Sequence, residues 1–227
     1  MEHFSIKVIA KIRNDFTEKF GIPRQSGLAN GVVSRIVFEP EYRNDDALRG
    51  IEDFTHLWLI WQFSKAIRDD WSPTVRPPRL GGNTRLGVFA TRSPFRPNPL
   101  GLSSVRLLGT EKTEEGTVLL VAGADLLDGT PIFDIKPYIP YCDSHRDASG
   151  GFTDTAKDFL LQVDFPEELL CKLPAEKHDG ILEVLSHDPR PSYQNDPDRI
   201  YGLTFGSFDI RFTVKENTLL VQEVTEK

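Results

Sequence analysis

The chain has 227 residues, 39% of them hydrophobic and 27% charged, with a formal net charge of −7. That is apolar material for one large domain, or a medium domain with a small one. The acidic balance excludes indiscriminate charge-driven binding of nucleic acid over the whole surface, and the longest apolar run, Leu57–Trp61, is far too short for a helix crossing a bilayer.

In chain order, Phe4–Arg13 alternates apolar and polar residues and predicts a half-buried strand, with no signal-peptide pattern before it. Gly21–Gly27, with Pro23-Arg24-Gln25-Ser26 inside it, is a short polar loop of restricted backbone, a ligand clamp or an ordinary turn. Gly31–Phe38 is β-branched and follows an Asn30-Gly31 turn signal. Phe54–Phe63 is apolar on both faces; its aromatic content favours a central strand over a buried helix. Trp71–Asn83 is a long proline-rich loop, the kind that is functional or disordered. Arg85–Thr91, Ser103–Leu108, Thr117–Gly123 and Thr130–Tyr138 read as further strands, separated by Gly81-Gly82, Glu115-Gly116 and Asp128-Gly129 turns. About seven strands with few helices between them predict a barrel or sandwich, not a parallel α/β sheet.

The character changes from Asp143 onward, where residues 143–227 carry a net −8. Helical patterns cover Thr155–Val163, Pro166–Leu173 and Ala175–Ser186, the last weakened by Gly180. A proline-rich loop, His187–Gly202, precedes a hairpin of Ser207–Val214 and Thr218–Val224 turning at Glu216-Asn217. The boundary falls at residues 145–152, which divides the chain into a mostly β domain, 1–145, and a small α+β domain, 152–227.

Residues 71–110 hold six arginines (Arg76, Arg79, Arg85, Arg92, Arg96, Arg106) and no lysine, aspartate or glutamate. Arginine presents a planar fork suited to phosphate or carboxylate, and Pro94, Pro97 and Pro99 hold the loop in one shape. The alternative is a rigid surface loop whose arginines cap carbonyls. Asp125, Asp128 and Asp134 lie within ten residues. Asp128-Gly129 is a turn, whereas Asp125 and Asp134 are flanked by apolar residues. They could bind ribose hydroxyls, counter a cation, hold Mg²⁺ or act as a base, and Asp134 could simply pair with Lys136. The five histidines show no metal-ligand spacing, and His56 reads as a core histidine. Cys142 and Cys171 read as reduced thiols of a cytoplasmic protein. No G-x-G-x-x-G, Walker loop or G-x-S-x-G occurs.

The stretch Gly87–Leu107, GVFATRSPFRPNPLGLSSVRL, resembles the TsaA-like, or TrmO, family of tRNA methyltransferases. The likeness continues through PRQSG at 23–27, GIEDFTHLWLIWQF at 50–63, VRPPRLGGN at 75–83, DLLDGTPIFDIKPY at 125–138 and DPRPSY at 188–193. The resemblance implies an antiparallel β-barrel enzyme, a homodimer using S-adenosylmethionine to methylate N6 of N6-threonylcarbamoyladenosine beside the anticodon of threonine tRNA. It implies a cofactor pocket of Arg24, Gln25, Ser26, Gln62, Phe63, Arg92, Leu102 and Ala122, Gly123, Ala124 and Asp125, with no metal. Asp125 or Asp134 is then the expected base. Arg76, Arg79, Arg85 and Arg96 are expected to meet tRNA phosphates, Trp71 or Phe95 to stack on a base, and the C-terminal domain to touch tRNA. The competing expectation is a non-enzymatic barrel that senses S-adenosylmethionine or a nucleotide, or an RNA-binding module without chemistry.

Overall fold

The computed structural model describes residues 2–227 except 69, 78, 79, 81, 82, 155–159, 192, 193 and 195. Strands β1 (Ala10–Arg13), β2 (Val33–Phe38), β3 (His56–Gln62), β6 (Leu100–Thr113), β7 (Gly116–Ala122) and β8 (Pro131–Pro137) pair antiparallel in the order β1-β2-β7-β6-β3-β8. β8 pairs back onto β1, Ile132 opposite Ala10, so the sheet closes into a barrel. Period-2 alternation sends Ile12, Ile36, Leu57, Leu59, Trp61, Val105, Leu119, Val121 and Ile132 to one interior core. The fourteen-residue β6 shifts register between Leu107 and Gly109, where Gly109 has φ 143°, and this bulge lets one strand bend between its neighbours. A minor hairpin, β4 (Thr74–Val75) with β5 (Leu86–Gly87), stands apart.

Beyond the single-turn helix α1 (Pro140–Asp143), β9 (Gln162–Asp164), β10 (Tyr201–Phe205), β11 (Phe208–Lys215) and β12 (Thr218–Glu226) form a second sheet, order β10-β11-β12-β9. Helices α2 (Glu167–Leu170) and α3 (His178–Ser186) accompany it. The second core joins Ile181, Leu185, Phe205, Phe212 and Leu219 to three residues from far upstream, Phe16, Ala29 and Val32. The segment containing Pro23–Ser26 is thus seated on the C-terminal sheet. The Asp15 carboxylate pairs with Lys177 at 2.6 Å, Glu18 accepts from the Thr204 N–H at 3.1 Å, and Glu183 accepts from the Gly31 N–H at 2.7 Å.

Several elements depart from the sequence reading. The first strand starts at Ala10; Phe4 and Ile6 are solvent-exposed, because alternation without a pairing partner does not make a strand. In 85–91 only Leu86–Gly87 pairs, and Val88–Ala90 turns into a 3₁₀ segment whose Val88 carbonyl accepts from the Thr91 hydroxyl at 2.9 Å. Of the helix expected over 155–163, residues 155–159 lie outside those described, while Gln162–Asp164 is a strand parallel to β12, drawn there by the open edge of that strand. The helix expected over 166–173 is a single turn with Pro166 as its N-cap. Strand β10 begins inside what reads as a loop. The terminal hairpin turns at Glu216, which has φ 55°.

Candidate functional site

Two clefts share one wall. The inner cleft, about 830 Å³, opens at the ends of β3 and β6 and is lined by Trp61, Gln62, Phe63, Gly101, Leu102 and Asp125, by the Pro23–Gln25 loop and by Arg92–Asn98. That volume is within the usual range for small-molecule sites. The outer cleft, about 1790 Å³, runs between the β4–β5 hairpin and the His187–Pro191 loop. Arg24, Gln25, Arg92, Pro94 and Phe95 line both. The loop from Arg92 is fastened where it re-enters the barrel, the Phe63 N–H donating to the Pro99 carbonyl at 2.9 Å.

At the floor of the inner cleft the Asp125 carboxylate accepts from the Ser103 hydroxyl at 2.5 Å, and Ser103, 1% exposed, accepts from the Trp61 indole N–H at 2.9 Å. Gly101 permits this line: a Cβ there would fall 2.2 Å from the Trp61 ring. Burial pushes the Asp125 carboxyl above its ordinary value, opposed by the Ser103 hydrogen bond, the Arg92 cation and backbone N–H groups including that of Ser26. The Trp61 and Phe63 rings lie 4.3 Å apart. Arg92 Nη1 donates to Gln25 Oε1, and Gln25 Nε2 donates to the Arg24 carbonyl at 2.6 Å. Arg24 reaches the carbonyls of Asp188 and Arg190, each at 3.3 Å.

The expected site residues separate. Arg24, Gln25, Gln62, Phe63, Arg92, Leu102 and Asp125 converge on the inner cleft. Ser26 reaches it through its backbone N–H. Ala122, Gly123 and Ala124 are buried behind it, where Gly123 (φ 75°) accepts from the Gly27 N–H at 2.8 Å and anchors the Pro23–Gly27 loop to the barrel. Arg76 and Arg85 line the outer cleft. Arg96 does not join them: it lines the inner cleft and donates to the Thr91 carbonyl of its own loop at 3.1 Å. Arg79 lies outside the described residues. Asp134 lines neither cleft; it pairs with Lys136 at 2.8 Å and caps the Ile135 N–H. Of the two, only Asp125 lines the inner cleft.

Sequence reasoning missed Ser103 and Trp61. The signal was present: a serine at an inward position of β6, in step with Gly101 and Val105, is a buried polar group that requires partners. Replacing Ser103 with alanine strands the buried indole N–H and removes a donor from Asp125. The expected cost is about 1–3 kcal/mol, read as a lowered urea midpoint. The lost bond favours the charged carboxylate, so the Asp125 carboxyl should titrate at higher pH in the variant, read by NMR titration.

Among the described residues no group of three or more His, Cys, Asp and Glu side chains is placed to hold a metal ion. Comparison with known proteins finds the tRNA-methyltransferase O N-terminal domain over residues 11–144 and the TrmO C-terminal domain over residues 158–227. A tRNA (adenine(37)-N6)-methyltransferase of Escherichia coli K12 is 40% identical over 224 residues, 95% of each chain. A putative S-adenosylmethionine-dependent methyltransferase, RcsF, of Pseudomonas aeruginosa is 41% identical over 218 residues, 92% of this chain and 91% of that one. A crystal structure of TrmO from Pseudomonas aeruginosa superposes with a TM-score of 0.78 at 35% identity, covering 99% of this chain and 100% of that one.

Proposed function

The chain belongs to the TrmO family and is an S-adenosylmethionine-dependent tRNA methyltransferase; from that premise we propose that it methylates N6 of N6-threonylcarbamoyladenosine beside the anticodon of threonine tRNA. The observation that carries the reading is the pair of clefts divided by the Arg92–Phe95 ridge, a small apolar one floored by a carboxylate and a large one edged by arginines. The inner cleft fits the methyl donor chemically. Trp61 and Phe63 suit an adenine face, Arg92 or Arg24 a carboxylate, and Asp125 a sulfonium cation. Bound there, S-adenosylmethionine supplies an electrophilic methyl group.

The remaining work belongs to the protein. The acceptor nitrogen carries a carbamoyl group that withdraws its electrons, and it must lose a proton as it gains the methyl. Asp125 is the group in the cleft able to take that proton, held in one orientation by Ser103. The ridge keeps donor and acceptor a fixed distance apart, which lowers the entropic part of the barrier. Arg76 and Arg85 meet backbone phosphates, so tRNA affinity should fall with salt at a logarithmic slope of about two to four, checked by titrating labelled anticodon stem-loop at several salt concentrations.

Residues 1–145 would carry both substrates' reacting groups and residues 152–227 would extend the tRNA contact. A homodimer is part of the proposal, supported by Leu100 and Leu102 exposed on β6 at the rim of the inner cleft. Its tRNA substrate argues for residence in the cytoplasm. Among the described residues no helix is long and apolar enough to cross a membrane. The direct test is incubation with S-adenosylmethionine and threonine tRNA, then nucleoside mass spectrometry. A mass gain of one methylene on the carbamoylated adenosine is expected, and its absence overturns the assignment.

A further inference from the structure

Trp71 and Phe89 stack on one another, ring centroids 6.1 Å apart and planes 29° from parallel, yet remain 50% and 71% exposed. The pair is built into the β4–β5 hairpin. Thr74 faces Gly87, Val75 faces Leu86, and the Val88 N–H donates to the Pro73 carbonyl at 2.9 Å. Within the same 3₁₀ turn Val88 is buried and Phe89 points out. The turn therefore sorts its two apolar residues, sending one to the interior and the other to solvent. Phe95, the other aromatic lining the outer cleft from the arginine loop, is already covered, with the Arg68 guanidinium 3.6 Å above its ring.

The surroundings specify the occupant. Arg76 directly follows β4 and Arg85 directly precedes β5, so both strands carry a cation at the same end of the hairpin. Phe89, Arg76 and Arg85 all line the outer cleft, and residues 71–110 contain no acidic side chain. A flat apolar face beside forked cations suits a ligand with a flat π-face joined to an anion, which is a nucleotide whose base is unstacked. Duplex RNA hides its base faces, whereas a loop offers them. A protein partner matching the aromatic pair would gain nothing from the flanking arginines unless it were itself acidic.

We propose that Trp71 and Phe89 form a stacking platform for an unpaired base of the anticodon loop near the methylated adenosine, with Arg76 and Arg85 on the adjoining phosphates. The proposal rests on the reading of the chain as a tRNA methyltransferase and adds a second point of attachment, outside the reaction cleft. Stacking tolerates any base, so the platform holds the loop open and in place without reading its sequence.

The test uses the full-length protein and an anticodon stem-loop RNA bearing the carbamoylated adenosine. In Phe89→Ala and Trp71→Ala the RNA affinity, measured by fluorescence anisotropy, should fall about 5- to 100-fold. The KM for RNA in methyl transfer should rise in parallel, while S-adenosylmethionine affinity and the melting temperature stay unchanged. Phe89→Tyr, which keeps the ring, should retain affinity within about threefold. Loop RNA should also quench tryptophan emission in the wild type and not in Trp71→Phe, since Trp58 and Trp61 are more enclosed. RNA affinity unchanged in both alanine variants overturns the platform. So does an equal loss of S-adenosylmethionine affinity, which would mark the pair as part of the donor site. A wild-type protein that binds the loop through the pair but transfers no methyl would overturn the enzymatic reading and leave the platform standing.

Discussion

Asp125→Asn is expected to lower kcat by about two to three orders of magnitude, within the usual contribution of a positioned proton acceptor, and to change S-adenosylmethionine affinity by less than about tenfold. Asparagine keeps the shape and accepts the Ser103 hydroxyl bond, so the cleft should survive; what disappears is the ability to take the N6 proton, together with one counter-charge to the sulfonium. Single-turnover transfer alongside calorimetric binding separates the two effects. A fall in rate no larger than the fall in affinity would assign Asp125 to donor binding and remove the base from the mechanism. The raised carboxyl adds a pH signature. The base must be ionised, so wild-type activity should decline on acidification beginning above the ordinary carboxylate range of about 4. Stability runs the other way. In that window the folded state holds a proton that the unfolded chain has released, so the contribution of Asp125 to stability falls as pH rises through it. Above the window the buried charge costs stability that asparagine does not. Asp125→Asn should therefore melt at or above the wild-type temperature at neutral pH while being nearly inactive.

Gly31→Ala is expected to destabilise the protein by about 2–4 kcal/mol, a severe overpacking clash together with a weakened hydrogen bond. A Cβ on Gly31 would fall 2.7 Å from the backbone nitrogen of Gly180 and 2.8 Å from the carbonyl carbon of Asp179. Those are helix-backbone atoms of α3 and have no rotamer to escape into. The helix must retreat, which stretches the bond from the Gly31 N–H to Glu183 and loosens the packing of Val32 and Ile181 in the second core. For a chain of this length the melting temperature should drop by about 4–16 °C. S-adenosylmethionine affinity should also fall, because residues 23–31 are one continuous segment whose seating on α3 positions Arg24 and Gln25. A melting temperature within about 2 °C of wild type would show that the two backbones are not in the close approach described.

The barrel strands were legible as β-branched or aromatic runs bounded by turn residues, as Val33–Phe38 after Asn30-Gly31 and Gly116–Ala122 after Glu115 show. Gly180 illustrates what was not. In the sequence it only weakens a helix; in the fold it is half of a backbone-to-backbone approach with Gly31, a relation between residues far apart that no local pattern carries. The same limit explains Phe16, Ala29 and Val32, which look like ordinary apolar residues near the barrel and belong to the other core. Arg92, Gln25 and Asp125 could be grouped from motifs, whereas Arg96 and Asp134 could not be sorted by residue type. A guanidinium can cap its own loop, and a carboxylate can pair two residues away, as readily as either can meet a ligand. Phe89 was hidden by the expectation of a strand, where an aromatic would be core.

The seating of residues 15–32 on the C-terminal sheet bears on how the protein is made. Glu18 and Thr204 are 186 positions apart in the chain. A ribosome releases the Pro23–Ser26 loop well before β10–β12, its supporting wall, which emerge more than 170 positions later. Loop closure over such a span is entropically late, so the barrel can assemble on the nascent chain while Phe16 and Val32 still lack their partners. Methyl-donor binding then waits for β10–β12 to join the sheet. A chain arrested before β10–β12 would carry a folded barrel, a frayed clamp and an uncovered apolar strip, which marks it for chaperones or proteolysis before it can act on tRNA.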